Sequence, residues 1–136
     1  MSITLIEPHG GRLVNLLADS SDFSALKDES NEYPSWTLTD RQICDLELLL
    51  NGAFSPLDGF MTQEDYESVL ESMRLADGTL WPIPINLDVS DKFIEEIKGR
   101  EKVTLLDKEG FALALLTVSD FWQPDFEKEA SAVYGT

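Results

Sequence analysis

The stretch Leu38-Thr39-Asp40-Arg41-Gln42-Ile43-Cys44-Asp45-Leu46-Glu47-Leu48-Leu49-Leu50-Asn51-Gly52-Ala53-Phe54-Ser55-Pro56-Leu57-Asp58-Gly59-Phe60-Met61 carries more specified geometry than any other part of the chain. Thr39 opens a helix, and Gln42 three residues later completes a capping box; Asn51-Gly52 supplies the C-terminal stop. At about 100° per residue, Ile43, Leu46 and Leu50 share one face with Leu49 at its border, while Cys44 and Leu48 fall on another side. Apolar groups therefore flank more than one face, which predicts a helix packed on two sides. The loop that follows is punctuated by Gly and Pro, yet Phe54, Leu57, Phe60 and Met61 are too apolar for a free loop. They either cap the core of this domain or form a patch that docks elsewhere.

Working outward, Pro8-His9-Gly10-Gly11 reads as a turn, and residues 12–17 form a short apolar run that fits a strand or a helical turn equally. Residues 18–32 are polar, with Phe23 and Leu26 spaced for a short helix. Pro34 and the neighbouring aromatics predict an extended segment over 33–38. Downstream, Thr62 caps a helix whose Tyr66, Val69, Leu70 and Met73 fall at i, i+3, i+4 and i+7. Trp81, Ile83, Ile85, Leu87 and Val89 then alternate with polar or proline positions as in a strand. Pro82 and Pro84 would confine that strand to an edge or a bulge. A short helix follows from Ser90 to near Gly99, with Phe93 and Ile97 apolar. Residues 103–107 and 111–118 flank Lys108-Glu109-Gly110 as a hairpin, and the second strand, apolar on both sides, is expected to be central. A last helix after Pro124 is expected to turn Phe126, Ala130 and Val133 inward. Helices and strands without regular βαβ alternation argue for α+β or a small mixed barrel.

The chain has 136 residues, 43% of them hydrophobic, which suits one domain with one core. Ten basic residues against 26 acidic ones leave a net charge of -16. Such a chain repels polyanions, so nucleic acid and anionic membranes are poor partners. Cys44 is the sole cysteine, which rules out an intrachain disulfide and any Cys-x-x-Cys site. The start, Met1-Ser2-Ile3-Thr4-Leu5-Ile6-Glu7-Pro8, lacks the basic and long apolar regions of a signal peptide, and no run approaches the ~18 apolar residues of a membrane span. A soluble cytoplasmic location is expected.

Nucleophilic triads and histidine metal sites fail on histidine count, because His9 is the only one. Acidic pairs such as Glu95-Glu96 lack the spacing of a calcium loop. Neither the Walker spacing nor Gly-x-Gly-x-x-Gly is present. The turn His9, Gly10, Gly11 and Arg12 combines glycines with a cation and is a weak anion-site candidate. Glu47 falls between Ile43 and Cys44, whereas Arg41 and Asp45 can pair at i, i+4. A carboxylate so placed is expected to be buried and to need donors, from the loop at Phe54 to Phe60 or from Arg12 or Arg74. Glu47, Phe54, Leu57, Phe60 and Met61 are thus candidates for structural or interdomain docking roles. No catalytic, cofactor-binding or metal-binding residue emerges.

Several stretches together resemble one family. Pro8-His9-Gly10-Gly11 with Leu13, the whole segment from Leu38 to Met61, Arg74-Leu75-Ala76-Asp77-Gly78-Thr79-Leu80-Trp81-Pro82-Ile83-Pro84-Ile85-Asn86-Leu87-Asp88-Val89 and Ala114-Leu115-Leu116-Thr117-Val118 resemble the N-terminal domain of ATP sulfurylase (sulfate adenylyltransferase). The likeness is strongest to the fungal and bacterial type, some of whose members carry an adenylylsulfate-kinase-like extension. The resemblance implies a PUA-like mixed β pseudo-barrel with flanking helices over residues 1–136. It also implies a parent reaction in which Mg-ATP and sulfate give adenylylsulfate and diphosphate. The Gln-x-Arg-Asn and His-x-Gly-His motifs that hold those substrates in the family belong to the following domain, and this sequence contains neither. The implied role is a non-catalytic domain that packs on the catalytic domain of the parent, itself a homo-oligomer. PUA-like folds elsewhere bind RNA, so a free-standing module for RNA or a small anion is the alternative.

Overall fold

Gln42 shows how the chain is assembled. In the computed structural model, which describes residues 5–135, the first helix is α1 (Phe23–Ser30), the first strand is β1 (Ser35–Thr37), and Gln42 lies in the first turn of α2 (Asp40–Leu50). Its Oε1 accepts from the Thr39 backbone N–H at 3.0 Å, while Thr39 Oγ1 accepts from Gln42 N at 3.2 Å, closing the capping box. The same Oε1 accepts from Trp36 Nε1 at 3.1 Å, and Nε2 donates to Asp88 O at 2.7 Å. One buried amide therefore ties β1, α2 and the segment before the fourth helix together. Each bond is satisfied, which is what burial of a polar group requires.

Helix α2 meets two core clusters, but through one broad face: Leu49 serves one and Leu46, Ile43 and Leu50 the other, while Cys44, on the second side that the wheel expects to be packed, is exposed. Leu49 joins Leu57, Met61, Val69, Leu75, Trp81 and Ile85 in one core cluster. Leu46 joins Leu38, Phe93, Ile97, Val103 and Leu105 in the other, with Ile43 and Leu50 against its edge. The first cluster is closed by α3 (Gln63–Ser72), whose Thr62 side chain accepts from Asp65 N. The second is closed by α4 (Asp91–Ile97), capped by Ser90, and by the sheet. Burying each such side chain contributes roughly 1.5–3 kcal/mol.

The sheet has three strands in the order β1, β2 (Lys102–Leu106), β3 (Ala112–Thr117). Strand β1 runs parallel to β2 with Trp36 opposite Leu105, and β3 runs antiparallel to β2 with Val103 opposite Leu116. Gly110 takes φ 90° in the hairpin, and Asp107 Oδ1 accepts from the N–H groups of Glu109 and Phe111. Helix α1 lies over the outer face, where Thr104 Oγ1 donates to Ser30 O at 2.6 Å and Lys102 pairs with Glu29 at 2.5 Å. The α+β class stands, with an open mixed sheet rather than a closed barrel among the described residues.

Four expectations change. Strand β3 is an edge, because the short β1 pairs with the far side of β2 and leaves β2 in the central position. Residues 81–89 are extended but build no strand: Trp81 N bonds Met73 O and Met61 N bonds Ile85 O as separate contacts. Prolines at 82 and 84 leave too few donors for a ladder, and the expected alternation is broken: Trp81 and Ile85 are buried, but Ile83 is exposed and Pro84 is buried. Residues 13–17 are irregular. Phe126 points outward, 64% exposed, because α5 (Phe126–Glu129) is one turn long and is held by its other side through Tyr66 Oη donating to Glu129 Oε2 at 2.9 Å. A π-helical turn, Ala130–Tyr134, follows. The reading of residues 1–4 as no signal start lies outside the described residues, as does Thr136.

Candidate functional site

The N-terminal turn and the apolar loop, separate in sequence, meet. Pro8 leads into a 3-10 turn at His9–Gly11, and Gly10 at φ 72° packs so closely on Pro56 that a Cβ there would lie 2.8 Å from Pro56 Cγ. Arg12 Nη2 donates to Pro56 O at 3.1 Å, Val14 N donates to Ser55 Oγ at 2.8 Å, and Leu16 N donates to Leu50 O at 3.1 Å. Ser55 Oγ in turn donates to Gly52 O at 2.6 Å. Gly52 is obligatory on two counts: its φ is 87°, and an added Cβ would stand 2.5 Å from Val14 O. Residues 8–16 thus form an arm strapped along the end of α2 and the Ser55-Pro56 cis peptide.

This geometry gives the four anion-site candidates architectural work. His9 Nε2 meets Leu80 O at 2.6 Å; a carbonyl only accepts, so Nε2 donates. The His9 ring lies 6.1 Å from that of Trp81. Gly10 faces Pro56, Gly11 continues the turn, and the Arg12 guanidinium is engaged with the Pro56 carbonyl. Hydrogen bonds from Thr79 hold the Asp77 carboxyl below its ordinary range, and the positive charge of Arg12 adds to that effect. Within the turn, Gly11 N donates to Pro8 O, and one of the Arg12 guanidinium donors is taken by Pro56 O.

The docking candidates divide. Leu57 and Met61 are buried in the first core cluster, and Phe54 and Phe60 pack half-buried against it. The Phe54 ring meets that of Trp81 edge-on at 5.7 Å. Capping the domain's own core is therefore what the loop does. Glu47 corrects the expectation of a buried carboxylate: it is exposed, as is its flank neighbour Cys44, and Ile43 is only half-buried. That side of α2 faces outward, so no donors are required. Arg74, an expected partner, bonds Gly78 O at 3.2 Å instead. Arg41 and Asp45 do interact: burial raises the Asp45 carboxyl, and Arg41 opposes that rise.

Two features were not legible in the sequence. A cavity of about 300 Å³ opens at the end of β3, walled by Phe93, Ile97, Leu116, Val118, Phe121 and Trp122. Its outer strap is fastened by Asp120 Oδ2, which accepts Gln63 N at 2.9 Å, and by Trp122 against Tyr66 at 4.3 Å between ring centroids. Burial, and then the bond to Glu129, raise Tyr66 well above the ordinary phenol range. The second feature is apolar surface left open: Leu13 on the arm and Leu17 just after it, Phe23 on α1, and Phe111 and Leu113 at the hairpin. Among the described residues no group of three His, Cys, Asp or Glu side chains is arranged to hold a metal ion, and no helix is long and apolar enough to cross a membrane.

A family model described as a PUA-like domain matches residues 6–136. The sulfate adenylyltransferase of Kluyveromyces lactis is 51% identical over 130 residues, covering 93% of this chain and 26% of that enzyme. The chain belongs to the PUA-like domains of the sulfate adenylyltransferases. The enzyme of the same name from Eremothecium gossypii is 46% identical over 96% of this chain and 26% of its own length. The PUA-like domain thus spans about a quarter of the curated relatives it matches, in their N-terminal region. Among solved structures, a hexameric APS kinase from Thiobacillus denitrificans superposes on 88% of this chain with a TM-score of 0.78 and 45% identity, using 24% of that protein. The backbone described above is therefore that of this family as well as of this sequence.

Proposed function

We propose that the chain, residues 1–136 as one domain, is the non-catalytic N-terminal domain of a cytoplasmic, homo-oligomeric sulfate adenylyltransferase, and that it acts by packing on the enzyme's catalytic domain. The supporting observation is the extent of the match: nearly all of this chain against 26% of the Kluyveromyces lactis enzyme. The sequence agrees, since it holds one histidine and neither the Gln-x-Arg-Asn nor the His-x-Gly-His motif. Conversion of ATP and sulfate to adenylylsulfate and diphosphate, with Mg-ATP as the nucleotide, is assigned to the remainder of the enzyme. No residue of this chain is given a part in it. The exposed apolar side chains of the arm and the hairpin supply the surface for packing.

The test is complementation. The Kluyveromyces lactis enzyme, shorn of the quarter that matches, is expected to regain adenylylsulfate formation when this chain is supplied, and the chain alone is expected to form none. Tight ATP binding by the isolated chain defeats the reading. Titration with labelled RNA and with sulfate addresses the module alternative, which the charge of -16 disfavours for RNA.

A further inference from the structure

The hydrogen-bonding phase of β3 follows from one contact. Val118 N donates to Glu101 O at 2.9 Å, so that pair is a bonded pair of the antiparallel ladder. Bonded and non-bonded pairs alternate. With Val103 opposite Leu116 and Leu105 opposite Ala114, the backbone groups of Leu116 and Ala114 point at β2. Those of Leu115 and Thr117 point away from it. The partner strand agrees: Thr104, opposite Leu115, turns its N–H to Pro34 O on the β1 side at 2.9 Å. Among the described residues no strand lies beyond β3.

Folded proteins blunt such edges with charge, proline or brevity. The β1 edge is blunted: it has three residues and follows Pro34. Strand β3, Ala-Leu-Ala-Leu-Leu-Thr, has six residues, no charge and no proline, and its register shift, at Leu113, lies towards its start and leaves the stretch from Ala114 to Thr117 regular. Leu113 is 41% and the adjoining Phe111 70% exposed on its flank. On the opposite face, the cavity of about 300 Å³ bounded by Leu116, Val118 and Phe121 opens at the end of this strand. An added strand would find main-chain partners at its edge, the cavity on one face, and the exposed Phe111 and Leu113 beside α1 on the other, as strand addition requires.

We propose that the outer edge of β3 receives a further β-strand from the remaining polypeptide of the sulfate adenylyltransferase, with side chains alternating between the cavity and the Phe111/Leu113 flank. The inference rests on the proposed function and names the mode of contact. The occupant is argued from proportion and charge. Some three quarters of each relative lies outside the matched region, 26% being matched, whereas a second copy of this chain would bring another charge of -16 to the same interface.

The experiment joins this chain to the remaining part of the Kluyveromyces lactis enzyme and measures amide hydrogen exchange along β3. If a strand is added, Leu115 and Thr117 exchange within about tenfold of Ala114 and Leu116; an open edge leaves them roughly a thousandfold faster or more. The fast result overturns the proposal, and so does fast exchange at all four positions. Co-purification of the two parts as separate polypeptides distinguishes the causes. Association with Leu115 and Thr117 unprotected removes strand addition alone, and no association removes the proposed function as well.

Discussion

The loop at residues 52–61 and strand β3 are both rich in large apolar side chains, yet Leu57 and Met61 are each 6% exposed while Leu113 is 41% exposed. Regular structure is not what separates them, since the buried one is the loop. The difference lies in the backbone. Within the loop, Phe54 N bonds Leu48 O, Ser55 N bonds Gly52 O, Leu57 N bonds Phe54 O, and Met61 N bonds Ile85 O. A segment whose polar groups are satisfied can be buried, and one with a row of unpaired groups stays at the surface or waits for a partner.

That contrast can be broken at several points. Leu57→Ala removes a side chain from the loop-built cluster and is expected to destabilise the chain by about 2–5 kcal/mol in urea or thermal unfolding; an unchanged midpoint would mean the loop only rests on the core. Ser55→Ala leaves Val14 N without its acceptor and Gly52 O with one donor, the Ser55 backbone N–H, instead of two. A loss of about 1–3 kcal/mol is expected, together with faster proteolysis of the arm. Leu113→Ser, on the exposed strand, is expected to stay within about 0.5 kcal/mol. A larger drop there would show that the two regions are equally buried after all.

The smallest effect concerns Asp77, in the turn that lies near Arg12 of the arm. Asp77 has a folded-state pKa lowered from 3.8 by Thr79 with help from Arg12. A depressed carboxylate contributes stability above its unfolded pKa and loses it as pH falls through the folded one. The acid limb of the stability curve should therefore soften below about pH 4 in Asp77→Asn. Carbon-detected NMR titration should find Asp77 moved upward in Arg12→Gln; an unmoved resonance would detach Arg12 from Asp77.

Local chemistry was read correctly where it was self-contained. The Thr39–Gln42 box, the Thr62 and Ser90 caps and the Gly110 turn all follow from residues within a few positions of one another. What was missed depended on distant partners. A three-residue strand, Ser35–Thr37, has no period to detect, and its parallel pairing with β2 moved β3 to the rim. Glu47 sits beside Ile43 and Cys44 on the helix wheel yet is exposed, because the wheel shows which side chains are adjacent and not which side of the helix meets water. Phe126 looked like a core anchor, but Tyr66 and Glu129 fix α5 from its opposite side. The docking segment was found by its hydrophobicity and given its actual role by its turns.

Gln42 makes a local pattern carry long-range information. The spacing Thr-x-x-Gln is a signal over four residues, yet the same amide bonds a carbonyl 46 positions away at Asp88. Glu would keep the capping acceptor and lose the donor to Asp88; Leu or Met would fill the space and orphan the Trp36 indole. A sequence of this fold that reads Glu at that position should accordingly show a second change near Asp88 or Trp36. The motif that starts a helix thereby reports whether two remote segments still meet.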